Sequence, residues 1–421
     1  TGDWSSDVCS SDLPTFQAIL SGISEQRWQS SPLGLPPRDV AMNIALPEVD
    51  GRIITRPISF KTVKNSDTRL ETDIVHYQPK SDRIEFVADL AANWVKLPQT
   101  PTDERRIALI LANYPTRNGR LANGVGLDTP ASCVEILQAL KLAGYTISDF
   151  PLTGDDLIRE LTKGVTNDPE GRDFHQVNQF LKWEDYLTYF NTLPAAVQGG
   201  IKELWGAHFF DNPPEILPIA GIQFGNIFVG IQPSRGYDLD PSLNYHAPDL
   251  EPTPEYLAFY EWLRNHFKAH AVVHVGKHGN LEWLPGKGVG LSEECYPEIA
   301  LGPLPNFYPF IVNDPGEGCQ AKRRSQAVIL DHLTPPMTRA QLYGPLQQLE
   351  GLIDEYYQAQ VLDPSRLKTI SDRIVELIGK EKLDRDLGIS DGEIVEELFS
   401  TIDGYLCELK ESQIRDGLHI L

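Results

Sequence analysis

Four apolar runs of strand length, each followed by a loop rich in glycine and polar residues, constrain the fold of this chain most strongly. The runs are RIALILA (106–112), NIFVGI (226–231), AVVHV (271–275) and FYPFIV (307–312). Continuous apolar runs of this length are typical of strands that are covered on both faces. Strands that alternate with helices predict a parallel sheet, in which the carboxyl ends of the strands lie along one edge. We therefore expect an α/β protein with Rossmann-like parallel-sheet domains, whose strand-end loops form a cleft.

Changes in composition along the chain predict its division into five segments. They are a non-native cloning or sequencing scar (1–13), an irregular and mixed N-terminal part (14–104), an α/β domain with a helical insertion (105–225), a second α/β domain that carries the main site motifs (226–334), and a mainly helical C-terminal segment (335–421). Because the last segment stops within a predicted helix, we expect the chain to be a piece of a longer protein.

Two features of the N-terminal part support this division. Its proline content predicts loops over residues 14–60, with one strand at 58–63. Apolar residues recur at helical spacing from 83 to 97, and PQTPTDE (98–104) ends that helix as a linker.

The composition restricts the class of function. The formal net charge of −22 argues against a nucleic-acid partner, because a broadly basic face would need an even more acidic remainder. Five cysteines lie far apart without a C-x-x-C pair, which indicates a reducing compartment and no cysteine zinc site. No apolar run is long enough to span a bilayer, and no signal peptide is visible. We expect a cytoplasmic protein without a membrane partner.

The stretch HAVVHVGKHGNLEWLPGKGVG (270–290) holds the strongest candidate site. His274, His278 and Glu282 follow the spacing H-x3-H-x3-E, which on a helix would resemble the zinc site of metalloproteases. Gly276 and Gly279 interrupt such a helix, so we disfavour the protease interpretation. Imidazole and carboxylate groups without a thiolate suit divalent cobalt, nickel or zinc. The alternative is a core strand followed by a simple turn.

Polar groups also follow the other predicted strands. The loop after 231 carries Arg235, Tyr237 and Asp238, and NDPGEG (313–318) leads into a helix with the basic trio 322–324. This trio is either an anchor for ligand carboxylates or a solvated helix face. The spacing of the glycines in the loop 113–128 matches no phosphate-binding motif, which favours a structural role for them over an anion cradle. Because the sequence has no Walker-type loop, we expect any ATP to be hydrolysed by another subunit.

Several long motifs resemble the CobN-type large subunit of aerobic cobaltochelatases, a family related to the large subunit of magnesium chelatase. They are RIALILANYPTRNGRLANGVGLDTPAS (106–132), FVGIQPSRGYDLDP (228–241), VHVGKHGNLEWLPGK (273–287) and LGPLPNFYPFIVNDPGEGCQAKRR (301–324). With RPISFKTV (56–63) and the C-terminal tail, the resemblance covers about residues 50–421. Magnesium-chelatase versions carry Phe-Met where Trp283-Leu284 stand here, which favours the cobalt branch.

The resemblance implies ATP-dependent insertion of Co²⁺ into hydrogenobyrinic acid a,c-diamide, a corrin intermediate of cobalamin synthesis. Cobalt is then a substrate metal, and ATP with Mg²⁺ is bound and hydrolysed by two smaller partner subunits, one of them an AAA+ ATPase. Three alternatives stay open at this point: a magnesium-chelatase-type large subunit, a metal-dependent hydrolase, and a scaffold that only presents a corrinoid.

Metal insertion needs groups that take up the ring N–H protons and groups that hold the metal beside the ring. We expect Glu282 to be the main acid–base or metal-handling group, with His274 and His278 as relay or ligand candidates and Glu317 as a further metal candidate. The expected corrinoid-binding residues are Arg235, Tyr237, Asp238, Lys277, Trp283, Lys287, Asn313, Asp314 and Arg323.

Overall fold

Two compact units divide the chain, Thr1–Leu333 with Ile420–Leu421, and Thr334–His419. The computed structural model describes residues 13–67, 69, 72–113, 118, 121–122, 124, 126–168, 174–236, 249–276, 280–312, 315–333, 344–362, 364–381 and 419–421.

The first unit opens with a small sheet that is joined to short helices. Its strands are β1 (Phe16–Ser21), β2 (Ile53–Asp67) and β3 (Thr72–Pro79); β1 is parallel to β2, and β3 is antiparallel to it. The helices are α1 (Glu25–Ser30), α2 (Pro37–Val40), α3 (Leu46–Val49) and α4 (Ser81–Gln99), with a π-helical turn at Ala41–Ala45. The predicted strand at 58–63 and helix at 83–97 lie within β2 and α4.

The proline-rich residues before β2 are more regular than the sequence predicts. Pro37 and Pro47 lie in the first turns of α2 and α3, where a missing N–H group costs no helical hydrogen bond. Ile19, Trp28 and Phe60 are buried together and form the core of this part of the unit. Proline content therefore marked helix starts as well as loops.

The rest of the first unit alternates strands with helices. In chain order the elements are β4 (Ile107–Leu111), α5 (Thr129–Leu142), α6 (Gly154–Leu161), β5 (Gln179–Lys182), α7 (Trp183–Phe190), α8 (Ala195–Trp205), β6 (Ile216–Ile219), β7 (Gly221–Phe224), β8 (Ile227–Ile231), α9 (Pro254–Glu261), β9 (Ala271–Val275), α10 (Tyr296–Leu301), β10 (Asn306–Ile311), α11 (Pro315–Arg324) and β11 (Val328–His332). Strands β5 and β6 form a separate antiparallel pair.

The main sheet has six strands in the order β11-β10-β9-β4-β8-β7. All neighbouring strands are parallel except β7 and β8. The four strands predicted from apolar runs are β4, β8, β9 and β10, and they are contiguous in the sheet. The prediction of an α/β protein with a parallel sheet is confirmed.

The sheet crosses the domain boundary that the sequence predicts at 225/226. Phe224 pairs with Ile227 across a tight turn at Gly225, whose φ is +65°. Strand β4, from the first predicted segment, lies between β8 and β9 of the second. Two strands of 105–225, β4 and β7, therefore belong to the same sheet as the strands of 226–334.

Helices cover both faces of the sheet. Ala108 and Ile110 of β4 contact the core that contains α7, α8 and α9, whereas Ile107, Leu109 and Leu111 contact the core that contains α5 and α6. Successive strand residues point to opposite faces, so one continuous apolar run supplies both cores.

In the second unit, α12 (Pro345–Leu362) and α13 (Leu367–Glu381) flank a 3₁₀ turn at Pro364–Arg366. Leu349, Ile353, Ile370 and Ile374 are buried between these helices. In the parts of both units that the structure describes, no helix is both long and apolar enough to cross a membrane.

Candidate active site

The carboxyl ends of the central strands meet at one edge of the sheet. Leu111 of β4 lies in register with Ile231 of β8 and with Val275 of β9. Gln232 and Gly276, which follow β8 and β9, therefore begin their loops at the same edge of the sheet on either side of β4, as expected for a ligand site in a parallel sheet.

Two glycines let the loops after β4 and β9 approach each other at the start of α5. Gly276 has a φ of +93°, and a Cβ atom there would lie 2.8 Å from Oγ1 of Thr129. A Cβ atom on Gly124 would lie 2.4 Å from the same oxygen. Asp128 caps α5 by accepting a hydrogen bond from the backbone N–H of Ala131. The close approach of Gly124 to Thr129 supports the structural interpretation of this glycine.

Glu282 lies in a 3₁₀ turn (Leu281–Trp283) and is 2% exposed. Burial raises the pKa of its carboxyl to about 7, and the nearby charge of Glu317 acts in the same direction. A hydrogen bond that the Tyr308 hydroxyl donates to Oε1 over 3.4 Å opposes this rise in pKa, as does the charge of Arg324. A carboxyl group with this pKa can both accept and donate a proton near neutrality.

His274 is buried with both ring nitrogens in hydrogen bonds. The side-chain amide of Asn306 donates to the Ser325 carbonyl over 3.0 Å, which turns its Oδ1 toward His274 Nδ1 at 2.9 Å. Nδ1 then carries the proton, and Nε2 accepts from the Tyr260 hydroxyl over 3.0 Å. Burial lowers the pKa of His274 to about 4. In this arrangement neither nitrogen has a lone pair available for a metal.

A buried amide extends this chain to the loop after β8. The Nε2 atom of Gln232 donates to the Tyr260 hydroxyl over 2.9 Å, and its Oε1 accepts from the backbone N–H of Asn280 over 3.0 Å. The Asn280 side chain in turn accepts from Tyr256 over 2.6 Å. One hydrogen-bonded chain therefore connects the carboxyl ends of β8 and β9 with the first residue of β10.

Two basic residues that we expected to bind the corrinoid, Lys287 and Arg323, interact with other parts of the protein. Lys287 donates to the backbone carbonyls of Gln29 and Ser31 over 2.9 and 3.1 Å, and its ammonium lies 5.3 Å from the centroid of the Trp28 ring. Arg323 pairs with Glu48 at 2.7 Å. These side chains bind protein groups, so their predicted roles in corrinoid binding have no support in the geometry.

The other predicted site residues divide into three groups. Arg235 is 1% exposed, and its Nη2 donates to the carbonyl of Leu250 over 3.0 Å. Trp283 is 44% exposed and therefore lies outside the sheet core. Outside the described residues lie Tyr237, Asp238, Lys277, His278, Asn313 and Asp314. Within the described ranges, no three His, Cys, Asp or Glu side chains are grouped to hold a metal.

The N-terminal part of the unit holds the loop that follows Glu282. Trp28 Nε1 donates to the Gly290 carbonyl over 2.7 Å. Gly34, with a φ of +78°, approaches so closely that a Cβ atom would lie 1.9 Å from the Val289 oxygen. Residues 28–34 therefore form a wall against the loop that follows Glu282.

A buried ion cluster close to this loop was not predicted. Glu298 accepts from Arg56 Nε over 2.6 Å and from Arg83 Nη1 over 2.7 Å, and all of these side chains are buried. Arg56 also contacts the Phe86 ring at 4.5 Å. The sequence signal of this ion cluster is Arg56, a lone arginine at the start of RPISF. A charge in a buried strand needs a buried partner.

Comparisons with known proteins identify the family of the chain. The family model described as CobN/Magnesium Chelatase matches residues 3–421. The aerobic cobaltochelatase subunit CobN of Pseudomonas aeruginosa is 53% identical over 414 residues, which are 97% of this chain and 33% of that protein. A magnesium-chelatase subunit of Chlorobaculum parvum is 30% identical over 400 residues, 92% of this chain and 30% of that protein.

A solved structure is similar over nearly the whole chain. The catalytic subunit of cobaltochelatase from Mycobacterium tuberculosis superimposes with a TM-score of 0.70 at 41% identity, covering 97% of this chain and 35% of that one. The chain thus spans about a third of the length of these relatives. On the family model and these identities, the chain belongs to the CobN/magnesium chelatase family.

Proposed function

We propose that this chain is part of the large, substrate-binding and catalytic subunit of an ATP-dependent cobaltochelatase. The subunit would insert Co²⁺ into hydrogenobyrinic acid a,c-diamide during cobalamin synthesis. Two smaller subunits, one an AAA+ ATPase, would bind ATP with Mg²⁺ and hydrolyse it. The higher identity with the cobaltochelatase relative than with the magnesium-chelatase relative supports the cobalt branch.

One observation carries the chemistry, the buried Glu282 carboxyl at the carboxyl edge of the sheet with a pKa of about 7. Metal insertion releases protons from the ring nitrogens, and a group that is partly ionised at neutral pH can take up such a proton and pass it on. The Tyr308 hydroxyl, which donates to Glu282, stabilises the carboxylate before the proton arrives.

We propose that the strand-end loops form the cleft for the corrinoid. The exposed Trp283 ring next to Glu282 would pack on the macrocycle, since a large aromatic group at the surface of a site offers a flat apolar face. Arg235, Tyr237, Asp238, Lys277, Asn313 and Asp314 would bind the corrinoid side chains, and His278 and Glu317 would handle the metal with Glu282. His274 would act through Asn306 and Tyr260 rather than as a ligand.

A spectroscopic titration tests this function. Corrinoid, Co²⁺, partner subunits and ATP are added to the protein and to its Glu282→Gln variant, and the visible spectrum is followed. The variant should bind the corrinoid and fail to insert cobalt. Glu261→Gln is the matched control. Glu261 is a buried carboxylate outside this loop, and it pairs with Arg264 at a distance of 2.8 Å. Normal insertion by Glu282→Gln would move the chemistry to another group.

The metal-dependent hydrolase is the second candidate, favoured only by the spacing of His274, His278 and Glu282. A hydrolase of this type should be purified with one tightly bound ion per chain. Elemental analysis separates the two functions, because a chelatase releases its metal into the product.

A further inference from the structure

Helix α11 packs against the 3₁₀ turn that carries Glu282. Its last residue, Arg324, is buried at this contact. The C-terminal end of one helix therefore meets the segment that presents Glu282.

The Arg324 guanidinium binds the main chain of this segment at three places. Nη1 donates to the carbonyl of Glu282, Nη2 to that of Leu284 over 2.8 Å, and Nε to that of Lys287 over 3.1 Å. The side chain is 7% exposed. Three carbonyls separated along a turn match the planar fork of arginine, whereas the single ammonium of lysine cannot reach all of them.

The residue after Arg324 joins the same helix end to His274. The Ser325 carbonyl accepts from Asn306, which accepts from His274, and the Ser325 hydroxyl donates to Ala321 in α11 over 2.7 Å. The helix end thus binds both the Glu282 loop and the polar chain at the end of β9.

We propose that Arg324 is a positioning residue for Glu282, which holds the main chain of residues 282–287 against α11 and keeps the carboxylate beside Tyr308. The inference rests on the proposed function only for the role of Glu282 in proton transfer. The clamp itself concerns the conformation of the loop, so it can be measured without substrate.

The first measurement is hydrogen–deuterium exchange in the protein alone. In Arg324→Gln the amides of Trp283 and Leu284, which close the 3₁₀ turn, should exchange at least about ten-fold faster, because the turn loses its side-chain support. Arg105→Gln is the matched control: Arg105 also donates to backbone carbonyls, those of Pro98 and Thr100, but at the opposite edge of the sheet. Exchange in the control should match the wild type at these amides.

The second measurement separates kcat from the KM for the corrinoid in cobalt insertion by the assembled complex. Arg324→Gln removes the clamp on the segment that presents Glu282, so kcat should fall at least about ten-fold while the KM stays within about two-fold of the wild type. Arg324→Lys keeps the charge but cannot reach all three carbonyls, so it should also show faster exchange and a lower kcat. If Arg324→Gln does not fold, the lysine variant decides the question through the same two measurements.

The outcomes separate the inference from the proposed function. Fast exchange of the turn with a lowered kcat and an unchanged KM supports the positioning role. Exchange identical to that of Arg105→Gln overturns it, and so does fast exchange with an unchanged kcat, which would make the clamp merely structural. If the wild type inserts no cobalt, the proposed function fails. The clamp is still established if the turn exchanges slowly in the wild type and fast in both Arg324 variants.

Discussion

The hydroxyl of Tyr308 lies 3.4 Å from Oε1 of Glu282, and both side chains are 2% exposed. Tyr308 belongs to β10, whereas Glu282 belongs to the turn after β9. The contact therefore couples the proton affinity of the carboxyl to the packing of two neighbouring strands. Since the hydrogen bond favours the ionised form, it holds the pKa near neutrality against the effect of burial.

Replacing Tyr308 by Phe should raise the pKa of Glu282. The rise of the insertion rate with pH should then move up by about half a unit to one unit, because one neutral hydrogen bond to the carboxylate is lost. A pH profile of kcat measures the change. Tyr189→Phe is the control, since the Tyr189 hydroxyl donates to the Ile299 carbonyl away from Glu282. An unchanged profile in Tyr308→Phe would remove Tyr308 from the mechanism.

Glu282 should also make stability depend on pH. The folded protein holds its proton up to a pKa of about 7, whereas the unfolded chain releases it near 4.5. Its contribution to stability is therefore complete below pH 4.5 and is lost as the pH rises through 7, up to about 3 kcal/mol.

Urea unfolding of the wild type and of Glu282→Gln at pH 5 and pH 8 tests this dependence. Between pH 5 and pH 8 the contribution of Glu282 is lost from the wild type only. The free energy of unfolding of the variant should therefore increase relative to that of the wild type. Parallel curves for the wild type and Glu282→Gln would contradict a raised pKa.

His274 should be neutral and protonated on Nδ1. Its folded pKa of about 4 lies below the ordinary value of 6.5, so its contribution to stability is present above pH 6.5 and is lost as the pH falls through 4. Long-range ¹H–¹⁵N spectra should show one neutral tautomer at pH 6. Asn306→Asp, which places a carboxylate beside Nδ1, should raise this pKa. A doubly protonated ring at pH 6 in the wild type would refute the assignment.

Replacing Gln232 should destabilise the folded protein. Gln232→Leu leaves the Asn280 N–H and the Tyr260 hydroxyl without their present partners in a buried site, and it should lower the free energy of unfolding by about 2–4 kcal/mol. Gln223→Leu is the control, because Gln223 is exposed and donates only to Gly225. Its effect should stay below about 0.5 kcal/mol in the same urea titration. Equal losses would mean that the polar chain adds nothing.

Gly276→Ala and Gly51→Ala separate crowding from backbone strain. Both glycines have positive φ, +93° and +73°, but a Cβ atom meets Thr129 at Gly276 and open space at Gly51. Both variants should lose about 1 kcal/mol from the backbone. Gly276→Ala should lose about 1–3 kcal/mol more, because a buried side chain must move. Equal thermal shifts would show that Thr129 adapts freely.

The central strands could be predicted because their signal is local. Each apolar run of β4, β8, β9 and β10 is continuous in sequence, and each ends at residues that break a strand. The edge strand β7 lacks this signal: it has only four residues, and its Gln223 is exposed. The order of the strands also needed the structure, since β4 pairs with β8 and β9, more than a hundred residues away.

The individual site roles were less predictable, because partners come from distant parts of the chain. Lys287 binds carbonyls 256 and 258 residues away, and Arg323 pairs with Glu48 across 275 residues. No local pattern reports such a partner, so a basic residue beside a site motif resembles a ligand anchor. Glu282 was selected because the resemblance and the need for a proton acceptor indicated the same carboxylate, and its role in proton transfer stays a prediction.

The contact of Trp28 and Gly34 with residues 289–290 bears on how this protein can be dissected. A shortened version that begins at β4 would retain the six strands and still lose the wall that supports the loop after Glu282. Lys287 would face water instead of the Gln29 and Ser31 carbonyls, and the apolar surface under Trp28 would be uncovered. The sheet therefore depends on the chain that precedes it: transferring its motifs to another protein would require residues 14–99 as well, since the partners of Trp28 lie in β2 and Arg83 of α4 binds the Leu291 carbonyl.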